Sequence, residues 1–195
     1  MAREIIIFFN IGKKSILFVE HDTVTTIQVK KFNFSKKVRI MERYQRQMNI
    51  PNWNQDDLTT SRIAIVGSGL LIGSISWGLT ALGVGEIFLL DDSRLTENIP
   101  SFPYLNIMSG QLAIEALAQT LCTINPHVTT HCIRLRLLYD AHMFAIPPCD
   151  VLIDATCDIQ SKQICFAYGH SKNIPVIFAS AGMTGGMYTV FTNDK

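Results

Sequence analysis

Charge is in short supply: Asp, Glu, Lys and Arg make up 17% of the 195 residues, and their formal sum is +1. A chain that close to neutral makes no case for nucleic-acid binding or for electrostatic attachment to a membrane. Metal-binding cysteine patterns are missing too. The cysteines at 122, 132, 149, 157 and 165 form no CxxC pair and fall at no Cys/His metal spacing. That pattern gives no zinc site and reads as reduced core thiols of a cytoplasmic protein. No secretory leader is expected, because Ile5-Ile6-Ile7-Phe8-Phe9 is too short for a signal h-region and no small-residue cleavage site follows it. Low-complexity segments and internal repeats are absent as well.

What is plentiful is apolar, at 48% of residues. The length suits one domain with a proper core, or one domain plus a small extension, and the apolar surplus left at the surface suggests a partner. The informative stretch is Ile63 to Asp92. A short apolar run, Ile63 to Val66, turns on Gly67-Ser68-Gly69, continues through an apolar helix candidate, and closes in a second run, Ile87 to Leu90, ending on Asp91. Glycines at such a turn let the backbone approach a phosphate, and the helix start offers unpaired N–H groups and a positive dipole end. An acid at the tip of the next strand can accept from a ribose hydroxyl. Gly73 comes one residue late, giving GxGxxxG. Leu70 to Leu90 carries only Glu86 as a charge and is long enough to span a bilayer, but glycines at the turn and in Gly83-Val84-Gly85 divide it into strand, helix and strand. The unit could also be Rossmann-like and bind nothing.

Upstream, residues 1–40 alternate apolar and polar, and Ser15 to Glu20 with Thr23 to Val29 around His21-Asp22 predicts a β-hairpin, an appended piece beside a domain over residues 41–195. Lys13, Lys14, Lys30, Lys31, Lys36 and Lys37 read as solvated lysines at strand ends. A short helix is expected over Trp53 to Leu58, with Trp53 and Trp77 as core or interface anchors. Downstream, a Pro/Asn-rich loop over 93–107 leads to a helix over Ser109 to Ile124 that stops at Asn125-Pro126. Then come a strand over Val128 to Leu135, a short helix over Asp140 to Ala145, a strand Val151 to Ile153, and a helix Ser161 to Lys172. Strands Val176 to Phe178 and Met187 to Phe191 end the series. Alternating strands and helices predict an α/β, Rossmann-like, doubly wound and mostly parallel sheet, with ligands at the carboxyl ends of strands: Gly67 to Gly69, Asp91, and Asp154 to Asp158.

The order of short motifs resembles the ThiF/MoeB/HesA family, the adenylation domains of ubiquitin-activating-like enzymes. The matching residues are Arg43-Tyr44-Gln45-Arg46-Gln47, Ser61 to Gly67, Gly83-Val84-Gly85-Glu86-Ile87 into Asp91, Asn98, Ile124-Asn125-Pro126-His127-Val128, Asp154-Ala155-Thr156, Ile174-Pro175-Val176, and Gly186 with Val190-Phe191-Thr192. The resemblance implies ATP- and Mg-dependent adenylation of the C-terminus of a ubiquitin-like or sulfur-carrier protein. It implies nucleotide contacts at Gly67, Gly69, Gly73, Asp91 and Asn98, metal at Asp158, and a homo- or heterodimer with a related subunit in which Arg43 and Arg46 act, Arg46 across the interface.

The chain also departs from the family. Ser101 stands for an Arg, Ala113 or Gln111 for a Lys, Cys157 and Ser93 for two Asp, and Leu70 for a glycine; Arg94, Asp92, Asp158 and Lys162 are the neighbours that could substitute. Adenylation joins two anions, so these losses predict a degenerate site in cis. A non-catalytic subunit that lends Arg46 to its partner is the alternative, and a nucleotide-binding scaffold module the second. The chain stops at Asn193-Asp194-Lys195, about where the family continues into the part that grips the carrier and holds a zinc CxxC pair. Cys157 is read as a buried thiol, because the adjacent Asp158 would raise its pKa and no His is placed to act as base.

Overall fold

The computed structural model describes residues 6–10, 15–20, 23–28, 43–96, 103–104, 108–182 and 184–192, the first three segments by their backbone. The chain divides into two compact units, Met1–Arg43 and Tyr44–Lys195. In the first, β1 (Ile6–Asn10), β2 (Ser15–Glu20) and β3 (Thr23–Gln28) form an antiparallel sheet in that order. The expected hairpin is its β2–β3 half, with Ser15 opposite Gln28 and Glu20 opposite Thr23. The third strand escapes sequence reading because Ile5 to Phe9 is a continuous apolar run without alternation. The His21-Asp22 turn and the six lysines lie outside the described residues.

The second unit runs α1 (Gln55–Thr60), β4 (Arg62–Val66), α2 (Leu70–Leu82), β5 (Glu86–Leu90), α3 (Ala113–Ile124) and β6 (Thr129–Ile133). It continues with a 3₁₀ helix over Asp140–Ala145, β7 (Val151–Asp154), α4 (Ile159–Lys172), β8 (Val176–Ala181) and β9 (Gly186–Phe191). Its sheet has the order β6-β5-β4-β7-β8-β9. All neighbours are parallel except β8 and β9. This is the α/β, doubly wound, Rossmann-like architecture the alternation predicts.

Successive strand residues point to opposite faces, and the apolar strands feed two cores. Ile63, Ile65, Ile87, Leu89 and Ile153 pack with Ile72 of α2 and Ile114, Leu117 and Leu121 of α3. Ala64, Val66, Phe88, Leu90 and Leu152 pack on the other face with Ile164, Cys165 and Tyr168 of α4. Burying each Ile or Leu side chain contributes about 1.5–3 kcal/mol, so a central strand occupied on both faces must be apolar at every position.

Glycines divide the Leu70–Leu90 stretch as expected: α2 ends after 13 residues at Gly83, whose φ of 85° closes a left-handed cap, and β5 follows. Among the described residues no helix is long and apolar enough to cross a membrane. α3 starts four residues later than its composition suggests. Gly110 has φ 82°, and Leu112 is extended and bridges antiparallel to Arg94. The cysteines are corrected too. Cys165 is buried, whereas Cys122, Cys132 and Cys157 are exposed. Cys122 lies off the buried stripe of α3, Cys132 sits on an edge strand, and Cys157 follows the tip of β7.

The upstream Arg-Tyr-x-Arg-Gln segment divides its side chains. Tyr44 is 2% exposed and fills the space left by the missing Cβ of Gly83. Asn125 donates Nδ2 to Tyr44 Oη at 2.6 Å and to Thr80 O at 2.9 Å, and accepts from His127 N. Gln47 and Gln55 each donate Nε2 to Leu82 O at 2.9 Å. Tyr44 and Gln47 thus fasten the segment to the carboxyl end of α2, while Arg46 faces solvent.

Candidate functional site

Parallel strands deliver their carboxyl ends to one rim, and there a cleft of about 610 Å³ opens between the tips of β4, β5 and β7 and the segment after β6. Gly67 leaves β4 at φ 112°, a conformation a side chain would strain. It donates N–H to Leu90 O at 2.9 Å, and a Cβ on it would press on Thr156 and Ile72 at 3.2 and 3.3 Å. Gly69 is the N-cap of α2, and a Cβ there would meet nothing within 4 Å, so its surroundings are open on the cleft side. The first backbone bond of α2 runs from Gly73 N to Gly69 O, which leaves the N–H groups of Leu70, Leu71 and Ile72 without partners inside the helix. Neither leucine fills the cup: Leu70 is 52% exposed, and Leu71 lines a separate apolar pocket with Ile75 and Ile153.

Asp91 lines the cleft at 8% exposure. Its Oδ1 accepts from Asp92 N, Ser93 N and Ser93 Oγ at 2.8–3.3 Å, while Oδ2 accepts from none of the described residues. Tyr104 holds the glycine turn from the side, donating Oη to Ser68 O at 2.7 Å. Its pKa is raised by burial and then by the charge of Asp91, which keeps it a donor.

Beyond β7, Asp154 is fully buried and spent: Oδ1 accepts from Thr156 N and Oγ1 at 2.7 Å, and Oδ2 from Ser161 Oγ at 3.1 Å. Asp158 caps α4, its Oδ1 accepting from Gln160 N at 3.1 Å, and lines the cleft beside the exposed Cys157. The expected burial of Cys157 is therefore corrected; the Asp154–Thr156 turn holds the backbone so that the next residue faces out.

Of the residues singled out from sequence, Gly67, Gly69, Asp91 and Asp158 come together at this cleft. Gly73 lies outside its lining, where the absent Cβ makes room for Pro103. Asn98 and Ser101 are outside the described residues. Arg43 and Arg46 do not line the cleft. Among the substitute cations, Arg94 donates to Gly110 O, and Lys162 donates Nζ to Thr156 O at 2.7 Å beside Asp154 Oδ1 at 3.7 Å. Sequence reasoning missed Arg136, which lines the cleft. Its signal was available: it lies just past the carboxyl end of a parallel strand, where ligands of such sheets gather.

For ATP the fit is good on structural grounds: an open glycine turn, helix N–H groups without partners inside the helix, and an Asp91 oxygen unengaged among the described residues face one cleft. For magnesium the donor would be Asp158, which lines the cleft, and a single carboxylate can serve an ion that keeps its waters and takes phosphate oxygens. No group of three or more His, Cys, Asp or Glu among the described residues is arranged to hold a metal ion.

An open α/β sheet with a glycine turn, an acid on the neighbouring strand and a cleft at the carboxyl rim defines a Rossmann-like domain. Residues 44–195 match the ThiF family, and the chain belongs to it. It is 31% identical to the molybdopterin-synthase adenylyltransferase of Escherichia coli over 158 residues, covering 78% of this chain and 63% of that protein. It is 28% identical to the sulfur carrier protein ThiS adenylyltransferase of Escherichia coli, covering 77% of this chain and 62% of that one. The chain thus spans somewhat under two thirds of the length of these curated relatives. The crystal structure of PaaA shares the fold, with a TM-score of 0.71 at 19% identity over 88% of this chain and 60% of that one.

Proposed function

We propose that the chain serves the ATP-dependent adenylation of the carboxyl terminus of a ubiquitin-like or sulfur-carrier protein, working in a dimer with a related subunit and with a weakened site of its own. The observation that carries this reading is the open cup at Gly67–Gly69 with Asp91 Oδ2 beside it, unengaged among the described residues. Phosphates would lie against the amides of the turn and the start of α2, and the ribose against Asp91. In the reaction, an oxygen of the carrier's terminal carboxylate bonds to the α-phosphorus of ATP. The bond from that phosphorus to its bridging oxygen breaks, and pyrophosphate leaves with the electron pair. Magnesium at Asp158 would draw negative charge off the phosphates. The names of the relatives, adenylyltransferases of molybdopterin synthase and of a sulfur carrier, support the substrate class.

Bringing two anions together demands cationic donors, and this is where the chain is thin. Arg94 and Lys162 are engaged on backbone carbonyls, and buried Ala113 offers no charge. The second reading, a non-catalytic subunit that completes its partner's site, is favoured by the place of Arg46. It sits next to Gln47, fastened to the last residue of α2, whereas the cleft lies at the first. Thirteen residues of helix span about 20 Å, beyond the reach of an arginine side chain. Arg46 is exposed, which supports a role on another molecule.

Pyrophosphate exchange separates the two readings. The chain alone with sulfur-carrier or ubiquitin-like proteins should exchange label slowly, and mixing with a related subunit should raise the rate. Arg46→Ala should lower the mixed rate by about 10³-fold, the scale of an arginine supplied in trans to a phosphoryl site. No exchange with any carrier, alone or mixed, would rule out adenylation, and a mixed rate indifferent to Arg46→Ala would rule out the lending of this residue.

A further inference from the structure

The carboxyl rim of the sheet orders the cleft from end to end. Strand order β6-β5-β4-β7 places Arg136 beyond the tip of β6, Asp91 after β5, the glycine turn after β4 and Asp158 after β7. The tips of β5 and β6 are tied together, Asp91 donating its N–H to Ile133 O at 3.3 Å. Adjacent strands lie about 4.8 Å apart, so the tip of β6 stands roughly 10 Å from that of β4, on the far side of the ribose partner Asp91, and Arg136 follows the end of β6 by three residues. A nucleotide whose phosphates meet Gly67–Gly69 and whose sugar meets Asp91 therefore carries its base toward β6. Arg136 is exposed at that end, and no hydrogen bond or ion pair engages its guanidinium among the described residues.

We propose that Arg136 is the base-end specificity residue of the cleft, its planar guanidinium stacking on or donating to the purine rather than neutralising the phosphates. This rests on the nucleotide reading of the site. The adjacent Leu137 is buried at 1% exposure and also lines the cleft, which supplies an apolar floor under the base and fixes the backbone from which Arg136 projects. A guanidinium serves a planar heterocycle in this way better than an ammonium does, because it is flat, delocalised and more weakly hydrated.

The test is calorimetric titration of the full chain and of Arg136→Leu and Arg136→Lys with ATP and with inorganic tripolyphosphate, which has no base. Circular dichroism first checks that the variants are folded, as an exposed position should allow. The proposal predicts that Arg136→Leu weakens ATP about tenfold, within the range of a cation–π contact, and leaves tripolyphosphate within about twofold. Arg136→Lys should restore ATP binding only in part. Equal losses for both ligands, full rescue by Lys, or no loss at all would overturn it. If the unaltered chain binds tripolyphosphate and not ATP, or neither ligand, the nucleotide reading itself fails, a result distinct from the loss of Arg136's role alone.

Discussion

Asn125 makes three hydrogen bonds at 0% exposure, joining Tyr44 Oη, Thr80 O and His127 N from three separate segments. Removing that amide leaves several groups unpaired where water cannot replace it. Asn125→Ala should lower unfolding stability by about 2–4 kcal/mol, read as a reduced urea midpoint at unchanged slope. A loss under about 0.5 kcal/mol would show that water enters this knot. From sequence, Asn125-Pro126 is legible as a helix stop, and Tyr44 looks like part of a surface helix. What the sequence hides is the pairing: Tyr44 and Asn125 are 81 positions apart, and neither local periodicity nor turn chemistry speaks across that distance. Asp91 and Gly67 were readable because their roles follow from one strand-turn-helix-strand unit. Arg136 was missed because it stands three residues past the end of β6, and the pairing of β6 with β5 that brings that end to the cleft is not written in the local sequence.

α2 connects the cleft to the opposite side of the domain, and its Gly73 is set by a neighbour rather than by helix propensity. A Cβ at Gly73 would collide with Pro103, whose neighbour Tyr104 holds Ser68 of the glycine turn. Gly73→Ala should thus cost about 1–3 kcal/mol from overpacking, despite alanine's better helix propensity, and should also weaken ATP binding by displacing Tyr104. Paired urea and binding measurements check this; a stabilised variant with unchanged affinity would mean that Pro103 yields freely. At this scale most elements were legible, since buried parallel strands are apolar throughout and amphipathic helices repeat every three to four residues. The exceptions have local causes. β8 extends to Ala181 because β9 pairs with it along its full length, and α3 starts late because Gly110 turns the chain at positive φ.

At the scale of the whole molecule, the proposed function joins one cleft, which would bind a nucleotide, to one arginine near the far end of α2, which would serve a neighbouring subunit's site. The fold class was readable from alternation alone. The state of the site was not, because charge engaged on backbone carbonyls, as in Lys162, looks identical in sequence to charge held ready for a phosphate. The most direct measurement is calorimetric titration of ATP and of NAD into the chain and into Asp91→Asn. The account predicts one saturable ATP site, bound more tightly than NAD and weakened about tenfold in Asp91→Asn through loss of a charge-assisted hydrogen bond to the ribose. Tighter binding of NAD, no binding of ATP, or ATP affinity indifferent to Asp91→Asn would contradict it.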